Sequence, residues 1–426
     1  MTLRSFVTAN RWLFAALLLG LAIRVPLMVA AQHDSVPGDQ LQYSAQALGN
    51  ARGDWFAQPF DHFLPAAEHP PLTSAVLTPV TWLALHSNFI LAQRLAVFVV
   101  GLANIVLLYL LGRRFSPTVG SITALLGAID AHLFLGDVLI LSETFAVTLM
   151  TLLLLVLDPN RHRSHSRRRL ATAGALVGLL LLTRAELLLL VPLVGLWVWW
   201  SRTDRGRRSA MFDAAIPAAV ALVVIAPWVL WNMSRFEERT LLSTNDGFTL
   251  LGANCDDTYY GANIGGYSIN CALAVEGDPG QDASQVSAAR RQVAVAFAGD
   301  HLGRLPLVAG ARFIRQWELG WIGRTAGDSP AEGRPELLVL LGSVQWWLYG
   351  AVGMFGLRRI SGSWLGLLAL APVVVTFVGV VFNAQWRVRA AAEPAIVLLA
   401  ALGVFALLER RRPESREREP LVHPDR

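Results

Sequence analysis

Several carboxylates and guanidiniums of this sequence stand beside long apolar runs, where charged groups are costly. Arg387 and Arg389 lie two residues apart between two such runs. A guanidinium presents a fixed fork of donors that matches a phosphate, so this pair predicts a phosphate-binding site. Asp39 and Tyr43 stand four residues apart in a polar stretch, which places both side chains on one face of a helix.

Asp39 has two interpretations from its local sequence. It is either a working carboxylate or the cap of a helix that begins after Pro37 and Gly38. In the second case Ser35 or Asp39 accepts hydrogen bonds from backbone N–H groups that have no partner in the first helical turn. The local sequence leaves both interpretations open.

Four more ionisable residues are candidates, and each also has a structural explanation. His69 precedes two prolines that hold the chain extended, although a histidine at a membrane surface is more often simply solvated. Glu143 begins an apolar run, where a helix dipole favours a carboxylate in any case. Arg184 and Glu186 are two residues apart and can pair with each other.

The elements that carry these residues are long and apolar. The 426-residue chain is 54% hydrophobic and only 16% charged, with a mean hydropathy of +0.47. A soluble protein has about a quarter charged residues. Apolar runs of roughly twenty residues match a hydrocarbon core about 30 Å thick. We therefore predict an all-α polytopic membrane protein and exclude a soluble one.

Ten apolar runs are predicted to cross the membrane, with both chain ends in the cytoplasm. They are 12–31, 89–111, 119–135, 139–157, 170–182, 187–200, 214–231, 336–357, 364–382 and 390–408. Run 72–85 is short and contains Pro79, so we predict an interfacial helix there. All 36 basic residues are Arg, and their clusters then fall inside, as the positive-inside rule requires. That rule explains the basic charge, so no nucleic-acid partner is predicted.

This topology divides the chain into four parts. Residues 1–231 form a transmembrane module with the outer loop 32–88, and residues 232–334 form a second outer loop. Residues 335–409 form the last spans, and residues 410–426 a disordered tail. The second outer loop is expected to contain helices at 284–298 and around 312–321. All the candidate residues named above then gather at the outer side, which indicates an outward-facing site.

Cys255 and Cys271 both fall in the second outer loop. Oxidising conditions outside the cell permit a disulfide between them. Closing a loop of this length would contribute about 3 kcal/mol on the chain-entropy model. Two unpaired thiols are the alternative. No CxxC motif or nearby histidine pair accompanies the cysteines, so no zinc site is predicted.

Taken in order, these features resemble the GT-C superfamily of polyprenyl-phosphate-dependent glycosyltransferases. The nearest groups are protein O-mannosyltransferases and the lipid A aminoarabinose transferase. The resemblance covers nearly the whole chain, although no single motif is specific. It is carried by Asp39 with Tyr43, His69-Pro70-Pro71-Leu72, Arg94-Leu95, Glu143, and Ser243-Thr244-Asn245-Asp246-Gly247 with Gly252-Ala253-Asn254-Cys255. One departure is Gln40, because many members have Glu after the Asp.

The resemblance implies a GT-C fold with two outer loops bearing interfacial helices. It implies inverting transfer of a sugar from a polyprenyl-phosphate donor to a protein, lipid or glycan acceptor outside the cytoplasmic membrane. Asp39 would deprotonate or orient the acceptor hydroxyl. The other implied substrate-binding residues are Tyr43, His69, Glu143, Arg184, Glu186, Arg387 and Arg389. No cofactor is firmly implied, and Gln40 leaves the need for a divalent metal open.

Two other functional classes also fit a polar site at a membrane. A transporter or flippase of a lipid-linked sugar would need such a cavity, but transporters usually have internal repeats and helices broken near mid-membrane. The sequence has no evident internal repeat, and its polar groups lie at one surface. A scaffold without chemistry would not need two arginines at an outer turn. The transferase interpretation is therefore preferred.

Overall fold

The computed structural model describes residues 10–31, 36–59, 61–160, 166–203, 206–382 and 384–410. Within these ranges the protein is α-helical, and its β structure is one isolated bridge between Ala57 and Pro65. Ser35 lies outside the described residues, and so does the tail predicted to be disordered, apart from its first residue, Arg410.

Ten α-helices are described in the first 235 residues. They are α1 Arg11–Ala31, α2 Asp39–Arg52, α3 Leu72–Leu83, α4 Phe89–Gly112, α5 Pro117–Ile129, α6 Ala131–Gly136, α7 Glu143–Val156, α8 Arg167–Thr183, α9 Leu190–Ser201 and α10 Arg207–Arg235. Residues 232–334, which the sequence predicts to be the second outer loop, are called the second outer segment below. They contain α11 Asp246–Ala253, α12 Asp256–Tyr259, α13 Ile269–Leu273, α14 Ala283–Asp300, α15 Leu305–Gln316 and α16 Ile322–Asp328. The chain then continues through α17 Glu336–Gly356, α18 Gly362–Val381 and α19 Glu393–Arg410. Short 3₁₀ turns cover Ala185–Leu189, Gly261–Asn263, Leu302–Arg304, Ser329–Glu332, Leu357–Arg359 and Trp386–Ala392.

Six helical segments of the described chain are long and apolar enough to cross a membrane. They are Arg11–Ala31, Phe89–Gly112, Arg207–Arg235, Glu336–Arg359, Gly362–Val381 and Trp386–Arg410. Four apolar segments are shorter, namely Leu72–Leu83, Pro117–Ile129, Glu143–Val156 and Ala185–Ser201. A multi-pass membrane protein is thus confirmed, whereas the count of ten spans stays a prediction.

Two predicted spans contain breaks in the helix that their hydropathy did not indicate. Run 119–135 is two helices, because the Asp130 carboxylate accepts a hydrogen bond from the Leu133 N–H (3.1 Å) and starts α6. Run 139–157 becomes helical only at Glu143, since residues 137–142 are irregular. Asp137 leaves the helical path to pair with Arg24 (2.8 Å) where both side chains are buried. Hydropathy does not reveal these breaks, because the segments that contain the breaks are as apolar and as buried as the neighbouring helices.

The second outer segment is tied to the end of the bundle by Arg312. Its Nη1 donates to the carbonyls of Val380 (2.9 Å) and Val381 (3.1 Å) at the end of α18, and its Nη2 donates to Ala253. Two residues after Ala253, Cys255 forms a disulfide with Cys271, with a Cα–Cα distance of 6.4 Å. Arg312 therefore anchors the disulfide-bearing segment to the membrane bundle.

The helices of this outer segment agree in part with the sequence prediction. Helix α14 covers the predicted 284–298 with a few residues added at its ends. The helix predicted around 312–321 instead begins at Leu305 and ends at Gln316. Beyond it, Glu318 and Trp321 have φ values of 52° and 54°, which no α-helix contains. The helix ends there because Glu318 turns inward to bind Arg389.

Helices α17 and α19 approach closely through glycines. A Cβ atom at Gly403 would collide with the carbonyl oxygen of Val352, and one at Gly356 would collide with that of Leu399. Small residues let membrane helices approach until their backbones touch. This contact fixes α19, and with it the turn Trp386–Ala392 that precedes α19.

We expect Gly403→Ala to lower the melting temperature of the detergent-solubilised protein, because its Cβ meets a backbone atom that cannot rotate away. Overpacking of this kind costs about 1–3 kcal/mol. Gly350→Ala in α17 is the matched control, since a Cβ there meets nothing within 4 Å. Equal melting temperatures for the two variants would refute the close contact.

Candidate active site

Asp39 is the first residue of α2 and lines a large cavity. The residue at the helix cap is Gly38, with φ 57°, and no side chain caps the helix there. The Asp39 carboxylate instead pairs with Arg387, with Oδ2 2.7 Å from Nη1. Of the two interpretations of Asp39, the helix cap is therefore wrong.

Arg387 lies in the turn Trp386–Ala392 and connects three carboxylates. Its Nη1 is 2.7 Å from Asp39 and 3.8 Å from Glu143, and its Nε is 3.2 Å from Glu332. A guanidinium can do this because its five N–H donors spread over a plane. One side chain thus joins the start of α2, the start of α7 and the turn before α17.

Glu143 is the second centre of this network and is buried at the first residue of α7. Its Oε1 lies 3.6 Å from Arg184 Nη1 and 3.4 Å from Arg334 Nη2. Arg184 also pairs with Glu186 at 2.6 Å, as the sequence allowed. A buried carboxylate is costly unless it is paired, and the guanidiniums around Glu143 supply that pairing.

Tyr43 and His69 complete the group around Asp39. Their rings stack with centroids 4.5 Å apart and planes 25° apart. His69 Nε2 lies 3.8 Å from Asp39 Oδ1 and has no hydrogen-bond partner among the described residues. The prolines after His69 lead directly into α3, as predicted. Three of the predicted residues therefore meet at one point of the cavity wall.

The charge state of Asp39 follows from its neighbours. Burial by itself would raise the pKa of Asp39, because desolvation disfavours the charged form. The charges of Arg387 and His69 and a hydrogen bond from Arg387 outweigh burial and hold this pKa below its usual range. The side chain is still 32% exposed. Asp39 is thus an ionised carboxylate that a ligand can reach.

Tyr43 has the opposite tendency. Burial, with the nearby charge of Asp39, raises the pKa of Tyr43 above its ordinary value. Its hydroxyl therefore keeps its proton at neutral pH and can donate a hydrogen bond.

The cavity has a volume of about 630 Å³ and a lining of mixed chemistry. Its apolar wall comes from membrane helices and includes Leu222, Ile225, Val229, Val378 and Phe382. Hydroxyl and amide groups come from the second outer segment, at Thr240, Ser243, Thr244, Asn245, Thr249, Ser284 and Ser287. Four guanidiniums and three carboxylates line it, namely Arg184, Arg239, Arg291, Arg387, Asp39, Glu186 and Asp246. The lining suits an anionic ligand with both polar and apolar parts.

The structure separates Arg389 from this site. Its side chain is fully buried and pairs with Glu318 (2.7 Å) and Glu393 (2.9 Å). Glu318 also lies 3.2 Å from His132. Arg389 is not among the described residues that line the cavity. In a 3₁₀ turn, residues two apart point in directions about 120° apart, so Arg387 faces the cavity while Arg389 faces the bundle interior.

Glu332 and Arg334 belong to the site, although the sequence reasoning missed them. They flank Gly333, whose φ of 80° produces the turn before α17. Glu332 contacts both Arg387 and Arg334, and Arg334 also contacts Glu143. They lie at the outer end of a predicted span, so the criterion that selected the other residues could have found them.

Gln40, where the resemblance expects Glu, links two loops. Its Nε2 donates to the Glu332 carbonyl (3.0 Å) and its Oε1 accepts from the Ile140 N–H (3.2 Å). An amide can do both, whereas an ionised carboxylate can only accept. Asp39 is already paired with Arg387, and its neighbour Gln40 is an amide rather than a carboxylate. These residues therefore do not fit a metal ion. No cluster of three metal-ligating side chains occurs in the described part of the chain.

Comparison with known proteins places this arrangement in a known architecture. The model of the dolichyl-phosphate-mannose-protein mannosyltransferase family matches residues 68–231, less than half of the chain. The oligosaccharyltransferase of Archaeoglobus fulgidus, solved with zinc and sulfate, aligns with a TM-score of 0.54 at 14% identity. The alignment covers 94% of this chain and 49% of that enzyme. The chain has the fold of the GT-C superfamily.

Two further solved structures resemble the chain, one of the same oligosaccharyltransferase and one of a different enzyme. The same oligosaccharyltransferase, tethered to an acceptor peptide, aligns with a TM-score of 0.52 at 13% identity, covering 95% of this chain and 50% of that one. ArnT of Cupriavidus metallidurans, bound to undecaprenyl phosphate, aligns with a TM-score of 0.46 at 14% identity, covering 92% and 77%. No curated protein sequence matches the chain.

The residues of the candidate site extend beyond the matched family region. The region that matches the family model begins one residue before His69 and includes Glu143, Arg184 and Glu186. Asp39 and Arg387 lie outside it, on either side. The chain spans about half the length of the oligosaccharyltransferase that it matches.

We expect Gln40→Glu to destabilise the protein, because an ionised Glu loses the donor to the Glu332 carbonyl and adds charge beside Asp39. A buried group left without its partner costs about 1–3 kcal/mol. The melting temperature should fall at pH 7 and recover towards pH 4, where a Glu with a raised pKa is protonated and donates again.

Gln42→Glu is the matched control, since Gln42 is on the same helix and only half-buried. If both variants melt at the same temperature at pH 7, Gln40 does not link the two loops in the way described.

Proposed function

We propose that the protein is a glycosyltransferase of the cytoplasmic membrane. It transfers a sugar from a polyprenyl-phosphate donor to a hydroxyl of a protein, lipid or glycan acceptor at the outer face, with inversion at the anomeric carbon. The observation that carries this proposal is the Asp39–Arg387 pair, which joins an ionised carboxylate to a cation on the wall of one amphiphilic cavity.

The donor phosphate is assigned to the guanidiniums of the cavity. Arg387 uses Nη1 and Nε for carboxylates, and its Nη2 takes part in none of these ion pairs. We assign Nη2 to the phosphate, with Arg184 as the second cation. Fixed donors aimed at developing negative charge stabilise a leaving phosphate without reorganisation. The isoprenoid chain would lie along the apolar wall formed by α10 and α18.

The acceptor hydroxyl is assigned to Asp39 Oδ1, because Oδ2 is bound to Arg387. The hydroxyl oxygen attacks the anomeric carbon on the face opposite the phosphate, and the carbon–oxygen bond to the phosphate breaks. The hydroxyl proton passes to Asp39. A carboxylate of low pKa is a weak base, so it acts late, when the attacking oxygen has become acidic.

His69 and Tyr43 are assigned to the sugar and the acceptor. Tyr43 donates from a protonated hydroxyl, and the stacked imidazole offers Nε2 beside Asp39. Glu143 and Glu186 hold the guanidiniums that meet the phosphate. The positive-inside distribution of arginines supports the outward direction of this site.

We expect Asp39→Asn to lower sugar transfer at least about 100-fold, because an amide cannot take the proton. Binding of undecaprenyl phosphate should remain, since the guanidiniums are unchanged. The measurement is turnover of a panel of radiolabelled undecaprenyl-phosphate sugars by purified protein, beside calorimetry with undecaprenyl phosphate. Asp54→Asn is the control, as Asp54 is an exposed carboxylate of the same outer loop.

Two results would contradict the assignment of Asp39. One is full transfer activity in correctly inserted Asp39→Asn protein. The other is movement of the labelled lipid across vesicles by the wild-type protein with no glycosylated product, which identifies a transporter.

The pH dependence of transfer should reveal the Asp39–Arg387 pair. Because the depressed pKa keeps Asp39 ionised, the wild-type rate should show no acid limb from Asp39 between pH 5 and pH 9. Arg387→Gln removes the main charge that opposes burial, so the Asp39 pKa should rise above its usual value near 3.9. The residual rate should then fall as pH falls through that value. Profiles of identical shape would show that Arg387 does not control Asp39.

A further inference from the structure

The segment that carries His69 is fixed by three successive backbone carbonyls. The Ala66 carbonyl accepts from Arg235 Nη2 (2.7 Å), and the Ala67 carbonyl accepts from the Thr244 N–H (2.7 Å). The Glu68 carbonyl accepts from the Ser243 hydroxyl (2.5 Å). Every one of these donors belongs to residues 235–244, where α10 ends and the second outer segment begins. His69 thus depends on a contact between the two outer segments.

Arg235 forms the most extensive part of this contact. Its Nη1 donates to the Phe56 carbonyl (2.7 Å), so the guanidinium binds both ends of the loop 56–66. The same guanidinium lies 4.0 Å from the ring centre of Trp231 and 5.1 Å from that of Trp228. No carboxylate pairs with Arg235 within the described ranges. Carbonyl dipoles and ring faces stabilise its charge instead.

The loop that Arg235 closes has hydrogen bonds of its own, and it begins at a residue with an unfavourable backbone conformation. The Ala66 N–H donates to the Phe56 carbonyl (2.8 Å), but Phe56 has φ 50°, which is unfavourable for a bulky residue. Strain of this kind persists only where the surroundings enforce it. Here the Phe56 ring packs edge-on against Trp228, with centroids 4.8 Å apart, and Arg235 holds the carbonyl.

We propose that Arg235 is a positioning residue for the transfer reaction: it holds residues 56–69 so that His69 stays stacked on Tyr43 beside Asp39. Arg235 does not line the cavity in the described structure, and we assign its effect to His69 because the Ala66 carbonyl that it binds lies three residues before that side chain. This inference rests on the proposed function for its kinetic consequence. The guanidiniums assigned to the donor phosphate lie on other elements and do not depend on Arg235.

The kinetic test is a double-mutant cycle of Arg235→Ala with His69→Ala. We expect Arg235→Ala to lower kcat about tenfold while undecaprenyl phosphate binds within about twofold of the wild-type affinity. The double variant should be no slower than His69→Ala, because residues that act through one another are not additive. Arg235→Lys should recover part of kcat, since Lys keeps the charge but has no fork to bind both carbonyls.

Arg304→Ala is the matched control. Arg304 also donates twice to a backbone carbonyl, that of Tyr259 (3.1 and 2.9 Å), and stacks 4.1 Å from the Tyr260 ring centre. It binds the disulfide-bearing segment and has no hydrogen bond to the described residues of the loop 56–66. We expect this variant to keep the wild-type kcat, so a loss equal to that of Arg235→Ala would show general destabilisation and overturn the inference.

A second measurement does not depend on any activity. Diethyl pyrocarbonate modifies accessible imidazoles, and mass spectrometry follows its reaction at His69. The rate at His69 should rise several-fold in Arg235→Ala and stay unchanged in Arg304→Ala. An unchanged rate in Arg235→Ala overturns the inference even if the protein transfers sugar. Faster modification in a protein that transfers no sugar would keep the positioning role and reject the proposed function.

Discussion

The ion pair between Asp39 and Arg387 is the contact on which the rest of the site depends. Asp39 begins a helix of the first outer loop, and Arg387 lies in a turn before the last helix. Both side chains are mostly buried, where a charge without a partner is costly. Because Arg387 also reaches Glu143 and Glu332, the same guanidinium fixes four chain segments around one cavity.

The turn Trp386–Ala392 contributes one arginine to each of two ion-pair networks, and the two networks have different environments. The network around Arg387 borders a cavity, and Asp39, Glu332 and Arg387 itself are partly exposed, so these three groups can exchange partners with a ligand. The network around Arg389 is dry, and Glu318 and Glu393 complete its pairing. Breaking a buried pair costs several kcal/mol, whereas a hydrated pair rearranges easily. Arg389 therefore fixes the turn, and Arg387 is available for chemistry.

The surfaces of the cavity come from different parts of the chain. Membrane helices give an apolar wall, and the second outer segment gives hydroxyl and amide groups. Arg312 ties these two parts together, and Arg235 ties the loop 56–66 to the end of α10, both through backbone carbonyls rather than through carboxylates. Carbonyl contacts of this kind are insensitive to pH in the physiological range. These two ties are therefore independent of the charges that would act on a substrate.

The sequence by itself determined the helical membrane class and the gathering of Asp39, His69, Glu143 and Arg387, because hydropathy and charge asymmetry are properties of the linear chain. It did not determine that Arg389 turns away from the cavity. That direction depends on the 3₁₀ geometry of one turn and on carboxylates far away in the sequence. The break before Glu143, and the parts played by Glu332 and Gln40, were likewise decided by tertiary pairing. Such details depend on partners that are distant in the sequence, and no local sequence pattern indicates which residues those partners are.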